Sequence, residues 1–429
     1  MTNTKTIIIV GQNNIYSTIG GSLTVFWNMG KMLAQNGFEV IGVFSDPKLN
    51  LVEDHICPHF KTINFARQSG ACQTLFVQTI QQYQPSLIIY FFHFLYDLYA
   101  GQNTFDIPSL LMCHTAPNFS RYTLKNNPHL SCVQVLLDSF SEAARQMCPN
   151  TPVVVIGNPV QQDIRKKDYL TFSNKKIIFL SRTDVSKGTD ALIEAFSAIA
   201  DKYKDWTLEI YGQCEPPHLL KDYQNLIKYK KMSSRIKIGM VVKNTAEILA
   251  SADFCVFPSY CEAFSLGLSE ALSVGLPCIG FAKAASVNEM IIDNQNGFLV
   301  KDVREMSAKI EYLINFPEER ERMGLNAAQR FHDYSAEKIN RQWLDLIDDL
   351  ICRRPIKENI SNVLKPDVFT IDELDTLRSA CKQKLQAASK WSARKKATKL
   401  SPKEIIKAYF LFPLYIYKIY KLLKNRKTG

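Results

Sequence analysis

The sequence lacks any apolar run long enough to span a bilayer. The longest uncharged apolar run near the carboxyl end, residues 408–417, has ten residues and includes Pro413, whereas a spanning helix needs about 20. Near the amino terminus only residues 7–10 form an apolar stretch, which is too short for the core of a signal peptide. We therefore expect a cytoplasmic protein without a transmembrane helix.

The cysteines lack the spacing of metal ligands or redox pairs. None of the eleven forms a CxxC pair, and none has a metal-ligand spacing with the seven histidines. Several, including Cys255 and Cys278, lie within apolar strand patterns, which is typical of buried free thiols in a reducing compartment. We expect neither disulfides nor a metal site.

Most of the chain also lacks an excess of positive charge. Residues 381–429 hold 14 of the 52 Lys and Arg and only one acid, whereas the first 380 residues hold 38 basic and 40 acidic residues. Cations interleaved with aromatic and aliphatic residues, as in this tail, suit an anionic membrane surface. A helix packed on the second domain, with solvated lysines, is the alternative. Residues 372–385, which lead into this basic region, are predicted to be helical. Nucleic-acid binding is not expected, because no nucleic-acid motif accompanies the charge.

Short apolar strands alternate with helical patterns in two series along the chain. A chain of 429 residues exceeds one core, so two domains of roughly 200 residues are expected. The first series runs from Ile7 to residue 156, and the second begins at Ile177. The polar stretch 161–176 between them is the natural linker. The pattern predicts an α/β fold with two parallel sheets.

Residues 254–281 predict a strand, a loop, a short helix and a second strand. Ser265 is a candidate N-cap, and Gly275 stands where a helix C-cap needs positive φ. Glu262 lies in the loop and Glu270 in the helix. Such a loop and helix N-terminus at the end of a parallel strand commonly bind phosphorylated ligands.

The chemistry of this unit favours a sugar nucleotide. Unpaired N–H groups from Ser265 and Leu266 onward are expected to face an anion, as helix N-termini do. Carboxylates are poor neighbours for phosphate but good acceptors for sugar hydroxyls, because charge-assisted hydrogen bonds are strong. Glu262 and Glu270 are therefore candidate ligands of a diol. A loop carboxylate and an unrelated helix Glu are the alternative.

The Glu262-x7-Glu270 spacing, with Pro258-Ser259 before it, resembles the nucleotide-sugar motif of retaining glycosyltransferases of family 4. The resemblance is clear over residues 177–350 and weaker before them. It implies a GT-B fold, in which two Rossmann-like domains face each other across a cleft. The implied divisions are an acceptor domain (1–160), a linker (161–176), a nucleotide-sugar domain (177–334), a crossover helix (335–352) and a basic, aromatic C-terminal tail (353–429).

The resemblance also assigns roles to residues in the second domain. Arg182 and Lys187 lie five apart in one loop, where Arg as a fork and Lys as a point charge both suit a diphosphate. A solvated basic loop is the alternative. Glu262 is expected to face the donor sugar, and Glu270 to accept the ribose hydroxyls. Gly212 and Met240 are expected to line the nucleotide pocket, although a second glycine that the family often has after Gly212 is missing.

In the first domain the resemblance rests on a few residues. Gly20 and Gly21 open the first helix, where the family has a Gly-Gly pair in a donor-phosphate or acceptor loop. His114 follows a strand at the place where the family has a histidine facing the cleft near the transferred sugar. A polar core residue is the alternative for His114.

The implied reaction is transfer of a sugar from a UDP or GDP donor to a glycan or lipid-linked acceptor with retention. No Asp-x-Asp motif stands at a strand end, so neither a metal nor another cofactor is expected. A tail bound to the cytoplasmic face of a membrane would suit an enzyme that assembles lipopolysaccharide or another surface polysaccharide. A sugar-nucleotide epimerase, a phosphorylase or a non-catalytic scaffold of the same fold remain alternatives.

Overall fold

A computed structural model describes most of the chain. The described residues are 4–11, 21–45, 57–68, 71–91, 96, 106–114, 130–161, 173–242, 244–359 and 367–395. Gly20, most of the predicted linker and residues 396–429 of the tail lie outside them. In the described part, the strands form two sheets in which every paired neighbour is parallel.

The first sheet belongs to the amino-terminal half. Its strands are β1 (Thr6–Val10), β2 (Glu39–Phe44), β3 (Phe60–Asn64), β4 (Leu87–Tyr90), β5 (Ser109–Cys113), β6 (Cys132–Val135) and β7 (Val153–Val155). The helices of this half are α1 (Gly21–Gln35), α2 (Cys72–Tyr83) and α3 (Asp138–Met147). The order of the strands is β3-β2-β1-β4-β5-β6-β7, so the direction of winding reverses between β1 and β4.

The second sheet repeats this plan. Its strands are β8 (Lys176–Leu180), β9 (Thr207–Tyr211), β10 (Ile236–Met240), β11 (Phe254–Phe257), β12 (Cys278–Phe281) and β13 (Gly297–Val300). The helices are α4 (Thr189–Ile199), α5 (His218–Tyr229), α6 (Thr245–Ala250), α7 (Leu266–Ser273), α8 (Val287–Met290), α9 (Val303–Asn315), α10 (Pro317–Phe331), α11 (Ala336–Ile351) and α12 (Ile371–Lys395). The order β10-β9-β8-β11-β12-β13 reverses between β8 and β11.

Both sheets are covered by helices, and this explains the near-continuous apolar runs of their strands. All four residues of β11 are buried, and so are all four residues of β4. Parallel strands buried on both faces lose the alternation of polar and apolar residues. The predicted strands of both series are confirmed, with ends shifted by one or two residues.

Helix α11 brings the chain back beside β4 of the first half. Ser335 caps it, with its hydroxyl accepting the N–H of Lys338 at 3.4 Å. The backbone of Val160 pairs with both neighbours of Ser335: its N–H donates to the Tyr334 carbonyl at 3.3 Å, and its carbonyl accepts from Ala336 at 2.9 Å. The apolar stripe of α11 is buried and consists of Ile339, Trp343, Leu346, Ile347 and Leu350.

Part of the predicted tail is a helix that packs on the second half. Cys381, Leu385 and Ala388 of α12 are buried, and the helix lies against α5 and α4. The Lys384 ammonium bonds the carboxylate of Asp190 on α4 at 3.0 Å. The helix predicted over residues 372–385 is therefore present over Ile371–Lys395, and a narrow apolar stripe holds this part of the predicted tail on the protein. None of the described helices is both long and apolar enough to cross a bilayer.

Candidate active site

The predicted site residues of the second half gather where its strand order reverses. β8 pairs with β9 on one side and with β11 on the other. The loops that leave the carboxyl ends of β8 and β11 therefore start side by side. In open α/β sheets this switch point is the usual position of a ligand crevice.

The loop after β8 is folded tightly against the end of β11. Asp184 starts a helical turn, Val185–Lys187, by accepting the N–H of Ser186 at 2.7 Å. Gly188 ends the turn with φ +63°, and a Cβ there would lie 1.9 Å from the carbonyl oxygen of Pro258. Only glycine permits both this conformation and this approach, so the turn presents Lys187 directly to the loop after β11.

Lys187 and Glu262 form an ion pair between the two loops. The Lys187 Nζ lies 2.8 Å from Glu262 Oε2, and the two side chains are only 11% and 9% exposed. Lys187 also donates to the Cys261 carbonyl at 3.3 Å, and the Ser259 hydroxyl donates to Glu262 at 2.8 Å. An ammonium has three N–H donors. Within the described residues two of them are used here, so one remains for a ligand.

Arg182 lies in the same loop but is much more exposed. Its side chain is 56% exposed, and its guanidinium contacts Glu215 at 2.9 Å and Asp184 at 3.7 Å. Exposed pairs of this kind contribute about 0–1 kcal/mol each. A bound diphosphate would therefore meet little resistance in drawing Arg182 away from these acids.

The start of helix α7 differs from the prediction in one respect. Ser265 occupies the N-cap position, but its side chain makes no capping hydrogen bond, and its own N–H donates to the Ser286 hydroxyl at 2.9 Å. The expectation of a free Ser265 N–H is therefore wrong, because Ser286 already accepts it. Leu266 and Gly267 are the first residues of α7, where helix geometry leaves N–H groups without an intrahelical partner. These two groups remain candidates for an anion.

Glu270 is held in a dehydrated environment on α7. Burial raises the pKa of its carboxyl to about 7, and a hydrogen bond with the Thr245 side chain opposes this increase in part. Thr245 is the first residue of α6. An unliganded carboxylate that is costly to ionise is suited to bind hydroxyl groups, which replace its lost water.

Gly212 brings the end of β9 against the ends of β8 and β10. It has φ +134°, and a Cβ there would lie 1.9 Å from the Ser181 carbonyl oxygen. Its N–H donates to the carbonyl of Met240 at 2.8 Å. Gly212 and Met240 are therefore adjacent, and both lie beside the start of the loop that carries Arg182. This position is compatible with the predicted role of both residues in the wall of one pocket.

His114 lies in the other half, at the carboxyl end of β5. Its ring stacks on Phe91 at a centroid distance of 5.3 Å. Burial lowers the pKa of His114 to about 4, so the ring is neutral near pH 7 and can act there as a hydrogen-bonding group but not as a cation. Gly21 begins α1, whereas Gly20 lies outside the described residues.

Four residues that the sequence did not single out also belong to this region. They are Glu215, Thr245, Ser259 and Ser286. Ser259, three residues before Glu262, belongs to the Pro258-Ser259 motif but was assigned no role. Ser286 carries no sequence signal for its contact with Ser265, 21 residues away.

Among the described residues, no group of three His, Cys, Asp or Glu side chains is placed to hold a metal ion.

Glycosyltransferases are among the known proteins that this chain resembles in sequence. Residues 160–330 match the family model described as Glycosyl transferases group 1. An uncharacterized glycosyltransferase of Haemophilus influenzae is 28% identical over 197 residues, which are 46% of this chain and 55% of that protein. The N-acetyl-alpha-D-glucosaminyl L-malate synthase of Bacillus anthracis is 24% identical over 371 residues, which are 78% of this chain and 96% of that protein.

Solved structures share the fold over most of the chain. HepE from Anabaena, crystallised with UDP, superposes with a TM-score of 0.69 at 18% identity, covering 81% of this chain and all of that one. The predicted GT-B architecture is thereby confirmed for the two sheets. The matched segment spans only about half of the Haemophilus relative. Arg182, Lys187, Glu262 and Glu270 all lie within residues 160–330, the segment that matches this family model.

Proposed function

We propose that residues 160–330 form a group 1 glycosyl transferase domain. On this premise, the protein transfers a sugar from a nucleotide-sugar donor to a glycan or lipid-linked acceptor. The observation that carries the proposal is the buried Lys187–Glu262 pair at the switch point of the second sheet. It places a cation and a hydroxyl acceptor in one crevice, and a sugar diphosphate needs both.

The donor's diphosphate lies between the Arg182 loop and the start of α7. Lys187 gives its remaining N–H to a phosphate oxygen, and Arg182 leaves Glu215 to form a forked contact. The N–H groups of Leu266 and Gly267 add the positive end of the helix dipole. Together they stabilise the negative charge that grows on the leaving group as the bond breaks.

The sugar and the ribose are held by the two carboxylates. Glu262 is fixed by Lys187 and Ser259 and accepts hydroxyl groups of the transferred sugar. Glu270 accepts the ribose hydroxyls, while Gly212 and Met240 form the wall beside the base. UDP is the first nucleotide to test, because the similar HepE structure contains it.

Transfer proceeds with retention and without a protein nucleophile or a metal ion. The bond between the anomeric carbon and the diphosphate oxygen breaks, and the acceptor oxygen bonds the same face of the sugar. The acceptor's proton passes to the departing phosphate oxygen. His114, neutral at pH 7, orients the sugar from the first half and takes no proton. The Gly20-Gly21 pair contacts the acceptor or the donor phosphate.

The acceptor is a growing surface polysaccharide or lipopolysaccharide at the cytoplasmic face of a membrane. The support for this part is the composition of residues 396–429, which hold nine Lys or Arg and one acid among aromatic and aliphatic residues. Each such cation adds about 1 kcal/mol near an anionic surface. Sedimentation with anionic and neutral vesicles tests it. Equal recovery of the protein with both kinds of vesicle would contradict it.

Turnover with a panel of UDP- and GDP-sugars, followed as free nucleotide, tests the reaction. Arg182→Ala, Lys187→Ala and Glu270→Ala should each lower kcat/KM by at least tenfold, which corresponds to about 1.4 kcal/mol. Arg341→Ala, which removes an exposed cation on α11, should leave it unchanged. Unchanged rates in all three site variants would reject the assignment. Epimerised donor, phosphate-dependent cleavage or no turnover would point instead to an epimerase, a phosphorylase or a scaffold.

A further inference from the structure

The segment Asp367–Lys384 lies beyond the residues that match the glycosyltransferase family, yet it is fastened to the connection between β12 and α8. The N–H of Phe369 donates to the Lys283 carbonyl at 3.0 Å. The Lys283 ammonium in turn bonds Asp367 at 3.0 Å and Glu373 at 2.9 Å. Three bonds to one residue fix the start of the segment beside the site.

From this anchor, Phe369 packs against the loop that carries Glu262. Its ring meets Tyr260 edge-on at 6.0 Å and Phe281 at 6.3 Å, and the Tyr260 ring is stacked on Phe281 at 5.3 Å. Tyr260 is only 5% exposed. The three rings form a closed cluster, so the position of Tyr260 depends on Phe369.

Tyr260 connects both halves of the buried ion pair. Its N–H donates to the carbonyl of Ser186 at 2.8 Å, in the turn that presents Lys187. The next residue, Cys261, provides the carbonyl that accepts from Lys187, and Glu262 follows directly. A displacement of Tyr260 would therefore move the Lys187 turn and the Glu262 loop together.

The far end of the segment supports the same turn from its other side. Lys384 bonds Asp190 at 3.0 Å and Glu194 at 2.7 Å. Asp190 is 1% exposed and lies in the first turn of α4, which begins directly after Gly188. The ammonium neutralises a buried anion next to the loop that is expected to hold a diphosphate.

We propose that Asp367–Lys384 is a brace for the donor site, with Phe369 as the positioning residue that sets the Lys187–Glu262 pair through Tyr260. The inference rests on the proposed function and extends it to a part of the chain outside the matched family domain. Phe369 itself touches no reacting group in this scheme, and its effect on donor binding is indirect.

The test compares variants by titration with UDP and GDP and by the KM for donor and acceptor. Phe369→Ala should weaken nucleotide binding and raise the donor KM by roughly three- to tenfold, the range expected for loss of an aromatic pair. The KM for acceptor should not change. Phe369→Tyr, which keeps the ring, should restore donor binding.

Trp391→Ala is the matched control, because it removes an aromatic ring from α12, the helix that follows Phe369, at a position where the ring lies 5.5 Å from that of exposed Tyr229. It should lower the melting temperature without changing the donor KM. An unchanged donor KM in Phe369→Ala, or an equal rise in Trp391→Ala, would overturn the brace. If the wild-type protein binds neither nucleotide, the proposed function fails first and the brace with it.

A double-mutant cycle separates positioning from general loosening. If Phe369 acts through Lys187, Phe369→Ala should weaken nucleotide binding in the wild type but have little further effect in Lys187→Ala, since coupled residues are not additive. Additive losses would contradict the proposed route through Tyr260.

Discussion

Replacing Glu270 by Gln should stabilise the unliganded protein at pH 8 while weakening its hold on a nucleotide. Burial raises the pKa of this carboxyl from 4.5 to about 7. A carboxyl whose pKa is raised in the folded state favours folding when it is protonated. That contribution is complete below pH 4.5 and is lost as the pH rises through 7.

The magnitude follows from the shift. Each pKa unit corresponds to about 1.4 kcal/mol, so the ionised Glu270 costs the folded protein up to about 3 kcal/mol at pH 8. At pH 5.5 the folded state holds the proton and the cost falls to about 1 kcal/mol. Gln, which does not ionise, escapes this penalty at every pH. The gain in stability from Glu270→Gln should therefore be about 2 kcal/mol larger at pH 8 than at pH 5.5.

Urea unfolding of the wild type and Glu270→Gln at the two pH values measures this difference. Glu318→Gln, at an exposed position of α10, serves as control and should change stability by similar, small amounts at both. UDP binding by Glu270→Gln should be weaker than in the wild type, because a neutral amide is a poorer acceptor for a diol. If Glu270→Gln were no more stable than the wild type at pH 8, the argument from dehydration would be refuted.

Substitutions at two further positions test contacts that hold the site in place and join the two halves. Ser286 is fully buried, and its backbone has φ +69° and ψ −48°, which strains any residue except glycine. Ser286→Gly should therefore be more stable than Ser286→Ala by about 1 kcal/mol in urea unfolding. Equal unfolding midpoints of the two variants would show that no strain is stored there. Glu289 of α8 accepts the N–H groups of Asp138 and Ser139 at the start of α3, at 3.1 and 3.0 Å. Glu289→Ala should therefore cost about 1–2 kcal/mol, and an unchanged unfolding midpoint would mean that this contact between the halves is not made in solution.

The order of strands and helices was largely predictable from the sequence, because apolar runs bounded by Gly, Pro and capping residues specify local structure. Gly275 has the positive φ that its position after α7 predicted. The pairing of Lys187 with Glu262 was not predictable, since it depends on the switch point that places two distant loops side by side. Residues far apart in sequence meet only through the topology of the sheet.

The contact of Ser286 was missed, whereas helix α12 was predicted in part. A non-glycine residue at positive φ has no signature in a single sequence, so the contact of Ser286 with Ser265 could not be foreseen. Helix α12 does carry a signal, because Leu374, Leu377, Cys381, Leu385 and Ala388 recur at helical spacing. These residues lie in and just beyond the helix predicted over residues 372–385, but the face of the protein that the stripe packs on depends on the tertiary fold.

Calorimetric titration of UDP and GDP into the wild type and Lys187→Ala is the most direct test of the central claim that the Lys187–Glu262 crevice holds a nucleotide diphosphate. We predict that at least one nucleotide binds to the wild type and that Lys187→Ala weakens this binding by tenfold or more, about 1.4 kcal/mol. Equal affinity in the two proteins, or no binding to the wild type, would contradict the claim.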